Sequence, residues 1–220
     1  MSAKTSARNV FITGGTGFMG RRLIALLLKR SHAVRALARP GSERKVPPGC
    51  EVLLGNALDA ASYSARIAPS DTFVQLVGVP HPNPWKAAEF RAVELTSARG
   101  AVAAAVEAGI AHFVYVSVAQ PAPVMKAYIA VRAECEEMIR SSGLNATILR
   151  PWYVLGPGRQ WPYLLLPMYW LFERLPTTRE SARRLGLVTI EQMVATLAGA
   201  VENPSQGLRI LTVPEIRQAA

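Results

Sequence analysis

Residues 10–30 read VFITGGTGFMGRRLIALLLKR: a short apolar run, four glycines within seven residues (Gly14, Gly15, Gly17 and Gly20), then an apolar stretch carrying arginines. The spacing predicts a buried strand, a tight turn and an amphipathic helix from Phe18 to Arg30. A helix that starts directly behind a strand presents unpaired N–H groups and the positive end of its dipole to an anion. Glycine is needed there because a Cβ would block the approach of a pyrophosphate or clash with the strand. Residues 15–20 fit G-x-G-x-x-G, and residues 13–20 fit T-G-x-x-G-x-x-G. The turn is therefore expected to cradle the phosphates of a dinucleotide, with Gly14, Thr16, Gly17, Phe18, Met19 and Gly20 against it.

The rest of the chain repeats the alternation. Strand-like runs fall at 9–13, 33–38, 51–54, 72–77, 112–117 and 145–149, separated by helical patterns at 18–30, 60–67, 89–108 and 124–142. Gly109 and Gly143 stand where two of those helices should stop. Short apolar strands joined through helices predict right-handed βαβ units, hence an α/β fold with a doubly wound parallel sheet and helices on both faces. A last helix (190–202) and strand (208–213) close what reads as one domain over residues 1–220. The composition changes after Arg150: residues 151–176 hold five prolines and three of the four tryptophans. Residues 151–186 are expected to form a small apolar lobe, a lid for a substrate or an interaction surface.

The second strand indicates which dinucleotide is bound. A carboxylate about 20 residues beyond the glycines usually binds the ribose hydroxyls of NAD, yet no acid occurs from Ala33 through Ser42. Arg39 follows the strand directly, with Arg44 and Lys45 close behind. A guanidinium there suits a 2′-phosphate through charge-assisted hydrogen bonds, so NADP(H) is preferred over NAD(H). Asn56, next to Ala57, is placed to meet the adenine edge. Val77 and Gly78, ending the fourth strand, are placed to let backbone approach the cofactor.

The motifs TGGTGFMG (13–20), GNALD (55–59), LVGVP (76–80), HFVYVS (112–117) and TILRPWYVLGPG (147–158) together resemble the short-chain dehydrogenase/reductase superfamily in its extended and atypical branches, a Rossmann-type fold. Within it the chain is most similar to small members related to the Rossmann-fold accessory subunit of respiratory complex I. The resemblance implies that Ser117 orients a substrate oxygen and that Tyr128 is the acid/base. Where the family has lysine four residues after that tyrosine, this chain has Arg132. Arginine keeps the charge, and the spacing puts it on the tyrosine's face of the helix, but it is planar and effectively never deprotonated. Pro151 and Val154 match the stretch that passes beneath the nicotinamide. Two functions stay open: an oxidoreductase acting on a small carbonyl or apolar substrate, or a non-catalytic NADP(H)-binding sensor or assembly partner of a membrane complex.

Composition narrows the partners. The formal charge is +10, from 25 Lys and Arg against 15 Asp and Glu. The basic residues are spread along the chain without a block, so no nucleic-acid partner is expected. Cys50 and Cys135 lie far apart and the three histidines are dispersed, so no metal is expected. Trp161–Phe172 is shorter than the ~18 residues a span needs. With Arg159, Arg174, Arg179, Arg183 and Arg184 around it, residues 159–184 would suit a lipid surface or a protein partner. The expected location is the cytoplasm, or peripherally the inner face of a membrane.

Overall fold

The computed structural model describes residues 6–80, 82–157 and 179–219. Nine strands and six α-helices are used below: β1 (Asn9–Thr13), α1 (Phe18–Lys29), β2 (Ala33–Ala38), β3 (Glu51–Leu54), β4 (Thr72–Gln75), α2 (Thr96–Glu107), β5 (His112–Val116), α3 (Lys126–Ser141), β6 (Ala146–Leu149), β7 (Tyr153–Leu155), α4 (Arg179–Arg184), β8 (Leu187–Thr189), α5 (Ile190–Glu202), β9 (Leu208–Leu211) and α6 (Val213–Arg217). Seven strands form one sheet in the order β3-β2-β1-β4-β5-β6-β9, every neighbour parallel. The chain runs outward from β1 through β2 to β3, then returns to β4 on the other side of β1. The strand order therefore reverses between β1 and β4, and a crevice opens beyond their carboxyl ends, where open α/β sheets hold ligands.

Strand alternation supplies both faces of the sheet. Phe11, Phe73 and Phe113 stand in register across β1, β4 and β5, with ring centroids 5.0 and 5.2 Å apart, and Tyr63 stacks beside Phe11. That side is closed by Ala98, Ala101 and Ala105 of α2 and by Val131, Cys135 and Ile139 of α3. The intervening residues Val10, Ile12, Val74 and Val114 face the other way, onto Leu23, Ile24 and Leu27 of α1 and Met193, Leu197 and Val201 of α5. The doubly wound parallel sheet expected from the alternation is the fold observed.

Three departures from the sequence expectation have local causes. Residues 60–67 form two 3-10 turns, Ala60–Ser62 and Ser64–Arg66, in place of one helix, because the Ser62 hydroxyl engages Asn56 O and Asp59 O and the Arg66 guanidinium takes Leu54 O. The expected helix 89–108 is interrupted by a π-helical stretch, Phe90–Leu95, before α2 begins. The last strand ends at Leu211, because Thr212 caps α6 through a capping box with Glu215. Trp161–Phe172, with Arg159 and Arg174, lies outside the described residues. The described part of the apolar lobe contributes β7, which pairs in parallel with β8 apart from the main sheet.

Away from the crevice, His112 opens β5 fully buried, its Nε2 3.0 Å from Thr147 Oγ1 on β6. Burial, reinforced by Arg209 and Arg8, pushes its pKa from 6.5 down to about 4. The folded chain thus keeps His112 neutral while the unfolded chain protonates it below pH 6.5, so its contribution is complete above that pH and is lost as pH falls towards 4, a span worth roughly 3 kcal/mol. In urea unfolding followed across this range, His112→Gln should show a pH dependence flatter by about that amount. Parallel curves for the two proteins would show that His112 is not held neutral.

Candidate active site

The glycine turn brings three pieces of backbone into contact. Gly14 has φ +74°, and a Cβ on it would lie 2.7 Å from the Leu76 carbonyl carbon at the end of β4. A Cβ on Gly20 would lie 2.4 Å from Gly14 O, so α1 leaves the strand in van der Waals contact with the turn. Gly17 donates its N–H to Gly14 O at 3.0 Å and starts α1 with no side-chain cap and no acid in the first turn. This bare, dipole-positive helix end is a cradle that fits a pyrophosphate. The Phe18 ring closes one side, with the Arg22 guanidinium 4.4 Å over its centroid. Gly156 lets the chain pass, since a Cβ there would meet Phe18 Cζ at 2.7 Å.

A cleft of about 610 Å³ opens from this turn along the carboxyl ends of β1, β4 and β5. Of the residues expected from the sequence, Gly14, Gly17, Phe18, Met19, Gly20, Val77, Gly78, Ser117, Tyr128, Arg132, Pro151 and Val154 all line it. Thr16 is half-buried in the turn itself, and Ala57 packs partly buried against the core; neither is among the lining residues. Asn56 is exposed and turned back on its own loop, its Oδ1 accepting the Leu58 N–H at 3.1 Å. Arg39 is exposed beyond β2 and likewise lies outside the lining. Sequence reasoning did not single out Pro80, Pro82 and Asn83, nor Trp152 and Tyr153, which also line the cleft. The signal was there in part: a proline-rich stretch, PHPNP (80–84), directly after Gly78.

Arg132 does not stand alone, as the resemblance had placed it. Its side chain is 6% exposed and its Nε lies 2.9 Å from Glu94 Oε2, a wholly buried carboxylate; the contact is an ion pair without hydrogen-bond alignment. Nη1 donates to the Tyr115 hydroxyl at 3.0 Å and to Val116 O at 2.8 Å. The guanidinium carbon sits 5.3 Å from the Tyr128 ring centroid and 5.5 Å from that of Tyr115. Burial disfavours the charge on Arg132, but the facing oxygens of Tyr115, Tyr128 and Glu94 outweigh it and hold the guanidinium charged. Burial pushes the Glu94 carboxyl above its usual range, against the pull of Arg132 and the Val79 N–H. Of the two opposing directions, the charged guanidinium is the secure one, since a carboxylate 2.9 Å away and two phenol oxygens all favour it.

Ser117 is also engaged. Its hydroxyl donates to Glu136 Oε1, a buried carboxylate on α3 that also takes Gln120 Nε2 at 2.9 Å and Arg150 Nε at 3.0 Å. Arg150 Nη2 reaches the second oxygen, so Arg150 clamps Glu136 with two parallel bonds and anchors the segment after β6. With its proton given to Glu136, Ser117 offers the cleft only lone pairs. The sequence expectation that it steadies a substrate oxygen needs, in this arrangement, a substrate that donates.

The comparisons with known proteins agree on the frame. The NAD(P)H-binding family matches residues 14–161. Among curated proteins, a ceramide reductase of Caulobacter vibrioides is 27% identical over 210 residues, covering 93% of this chain and 64% of that protein. A 3β-hydroxysteroid dehydrogenase/Δ5→4-isomerase of Mycobacterium tuberculosis is 32% identical over 122 residues, covering 53% of this chain and 33% of the other. The chain thus spans less than two thirds of the length of both. Among solved structures, the Bordetella bronchiseptica enzyme WbmH in complex with NAD+ superposes with a TM-score of 0.70 at 20% identity, over 97% of this chain and 80% of that one, a likeness of fold. No helix among the described residues is long and apolar enough to cross a membrane. The family match over two thirds of the chain, on a frame whose glycine turn fits a dinucleotide, settles the assignment: the chain belongs to the NAD(P)H-binding family and has a Rossmann-type fold.

Proposed function

We propose that the chain is an NADP(H)-dependent reductase for a neutral, apolar carbonyl compound, with Tyr128 as its proton donor. The observation that carries this reading is the placement of Tyr128 in the same cleft as the glycine turn, with Arg132 one helical turn further on. Among the described lining residues Arg132 is the single charged side chain, and Glu94 meets its charge. Among the described lining residues a substrate carboxylate or phosphate would meet no cation but Arg132, whereas Pro80, Pro82, Trp152 and Val154 offer apolar walls. Relatives named for a ceramide and for a 3β-hydroxysteroid suit such a cleft.

The residues divide the work as follows. Gly14, Gly17 and the first turn of α1 would hold the pyrophosphate. Gly78 gives its missing Cβ to Arg132, which a side chain would meet at 2.8 Å, so the β4 loop lies flat along the cleft floor. A bound nicotinamide supplies hydride to the carbonyl carbon. Tyr128 donates its phenolic proton to the carbonyl oxygen as charge develops there and recovers it from solvent. Pro151–Val154 line the cleft and would wall its substrate end.

Preference for the 2′-phosphate rests on the β2–β3 connection. Arg39 is exposed and, among the described residues, forms no ion pair, while Glu43 Oε1 accepts the Gly41 N–H at 3.0 Å. Calorimetric titration should show NADPH binding more tightly than NADH, with Arg39→Ala weakening NADPH about tenfold and leaving NADH alone. Tighter binding of NADH would overturn the preference.

The acid/base assignment has its own test. Tyr128→Phe should keep its NADPH affinity and lose turnover of an apolar ketone by 10²-fold or more, roughly the contribution of a positioned general acid. A variant that turns over at the wild-type rate would remove Tyr128 from the chemistry.

A further inference from the structure

The Glu136 carboxylate gathers donors from three separate segments. Its Oε1 accepts the Ser117 hydroxyl, Gln120 Nε2 at 2.9 Å and Arg150 Nε at 3.0 Å, and its Oε2 accepts Arg150 Nη2. A guanidinium has donors and no acceptor, so Arg150 uses both carboxyl oxygens as acceptors. The proton in the Ser117–Glu136 bond is therefore the hydroxyl's own. A serine hydroxyl has one proton and two lone pairs, and among the described residues Ser117 Oγ makes no other hydrogen bond. The backbone around it is fixed as well. Ser117 N–H donates to Leu149 O at 2.7 Å and Ala119 N–H to Pro151 O at 2.9 Å, which binds the end of β5 to the segment after β6. Ser117 and Glu136 are both buried, so turning the hydroxyl proton away would take a donor from a carboxylate that water does not reach, at a cost.

We infer that Ser117 is a specificity-determining residue that accepts a hydrogen bond from the substrate, with Glu136 as the positioning residue that sets its direction. The substrate class that fits is a neutral ketone carrying a hydroxyl or an amide N–H beside the carbonyl. This rests on the reading of the cleft as a site for an apolar carbonyl compound. A carbonyl oxygen has no proton to give, so Ser117 serves a second group on the substrate and not the reacting one. That reverses the role the family resemblance implied, a hydroxyl steadying the reacting oxygen. A ketone without the neighbouring donor would cover the Ser117 lone pairs and leave them unpaired. Sites built around a polar partner reject analogues that lack it, because the stranded group loses its water and gains nothing. The rest of the lining sharpens the demand: Pro80, Pro82, Trp152 and Val154 supply apolar surface and no side-chain group able to take that proton.

Two ketones isolate the donor. The compounds α-hydroxyacetophenone and α-methoxyacetophenone share a ring and a carbonyl, and differ in whether the neighbouring oxygen carries a proton. Each is titrated calorimetrically into protein saturated with NADP+, which has no hydride to transfer, so the preference is read without turnover. The wild type should bind the hydroxy ketone about fivefold more tightly, the worth of one neutral hydrogen bond. Ser117→Ala should bring the two within about twofold by weakening the hydroxy ketone, which separates the hydrogen bond from the greater bulk of the methoxy group. The double variant Glu136→Met with Arg150→Met withdraws the acceptor and its counter-charge together and frees the hydroxyl to donate. There the gap should close through tighter binding of the methoxy ketone. If that protein fails to fold, Ser117→Ala decides, since it leaves Glu136 its Gln120 and Arg150 donors. A hydroxyl preference that survives Ser117→Ala would overturn the inference, as would equal weakening of both ketones in the double variant, the mark of a merely structural Glu136. Equal binding of the two ketones by the wild type would remove the inference and leave the carbonyl reading standing. Binding of neither would remove that reading and the inference with it.

Discussion

At Gly14 and Gly20 three backbones meet at distances that leave no room for a side chain. A Cβ on Gly14 would press into the Leu76 carbonyl, and one on Gly20 into Gly14 O. The consequence is geometric: α1 starts hard against β1 and beside the end of β4, at the point where the strand order reverses. Everything placed on the carboxyl ends of β4 and β5 then faces the start of α1. The cleft is the gap left by that packing, and its polar floor is built from residues that follow those two strands.

Two lining residues, Arg132 and Ser117, are tied to buried acid–arginine nodes, Glu94 with Arg132 and Glu136 with Arg150. Both carboxylates are almost wholly shielded from solvent, and a buried carboxylate is tolerated when a cation and further donors meet its oxygens. Each node also ties a loop of the cleft to a helix, Glu94 through the Val79 N–H and Glu136 through Ser117 and Gln120. The two groups that the family resemblance put at the chemistry, Ser117 and Arg132, are thus each held by a buried carboxylate.

That arrangement explains what was legible beforehand. Spacing along one helix revealed Tyr128 and Arg132 together, because residues four apart share a face, and the glycine pattern revealed the turn. The partners Glu94 and Glu136 were not legible, since they meet Arg132 and Ser117 across 38 and 19 positions, a distance that local periodicity does not encode. Strand positions were readable because alternation and apolar runs are local; α5 falls at Ile190–Glu202, the span expected. Residues 60–67 misled for the opposite reason: Ser62 and Arg66 spend side-chain bonds on backbone carbonyls, competition that apolar spacing does not register. β7 and β8, three residues each, exist because they pair with each other.

Charge distribution follows the same logic of local compensation. A surplus of +10 suggests a basic binding face, yet three described arginines near the cleft have partners of their own: Arg132 in Glu94, Arg150 in Glu136, and Arg22 in Phe18 O together with the Phe18 ring. The acids of the β2–β3 region are consumed too, Glu51 by Arg35 and Glu43 by the Gly41 N–H. What that leaves beside the end of β2 is the exposed set Arg39, Arg44 and Lys45. Among the described residues, then, the arginines beside the cleft are engaged by neighbouring groups, while exposed cations remain beyond the second strand.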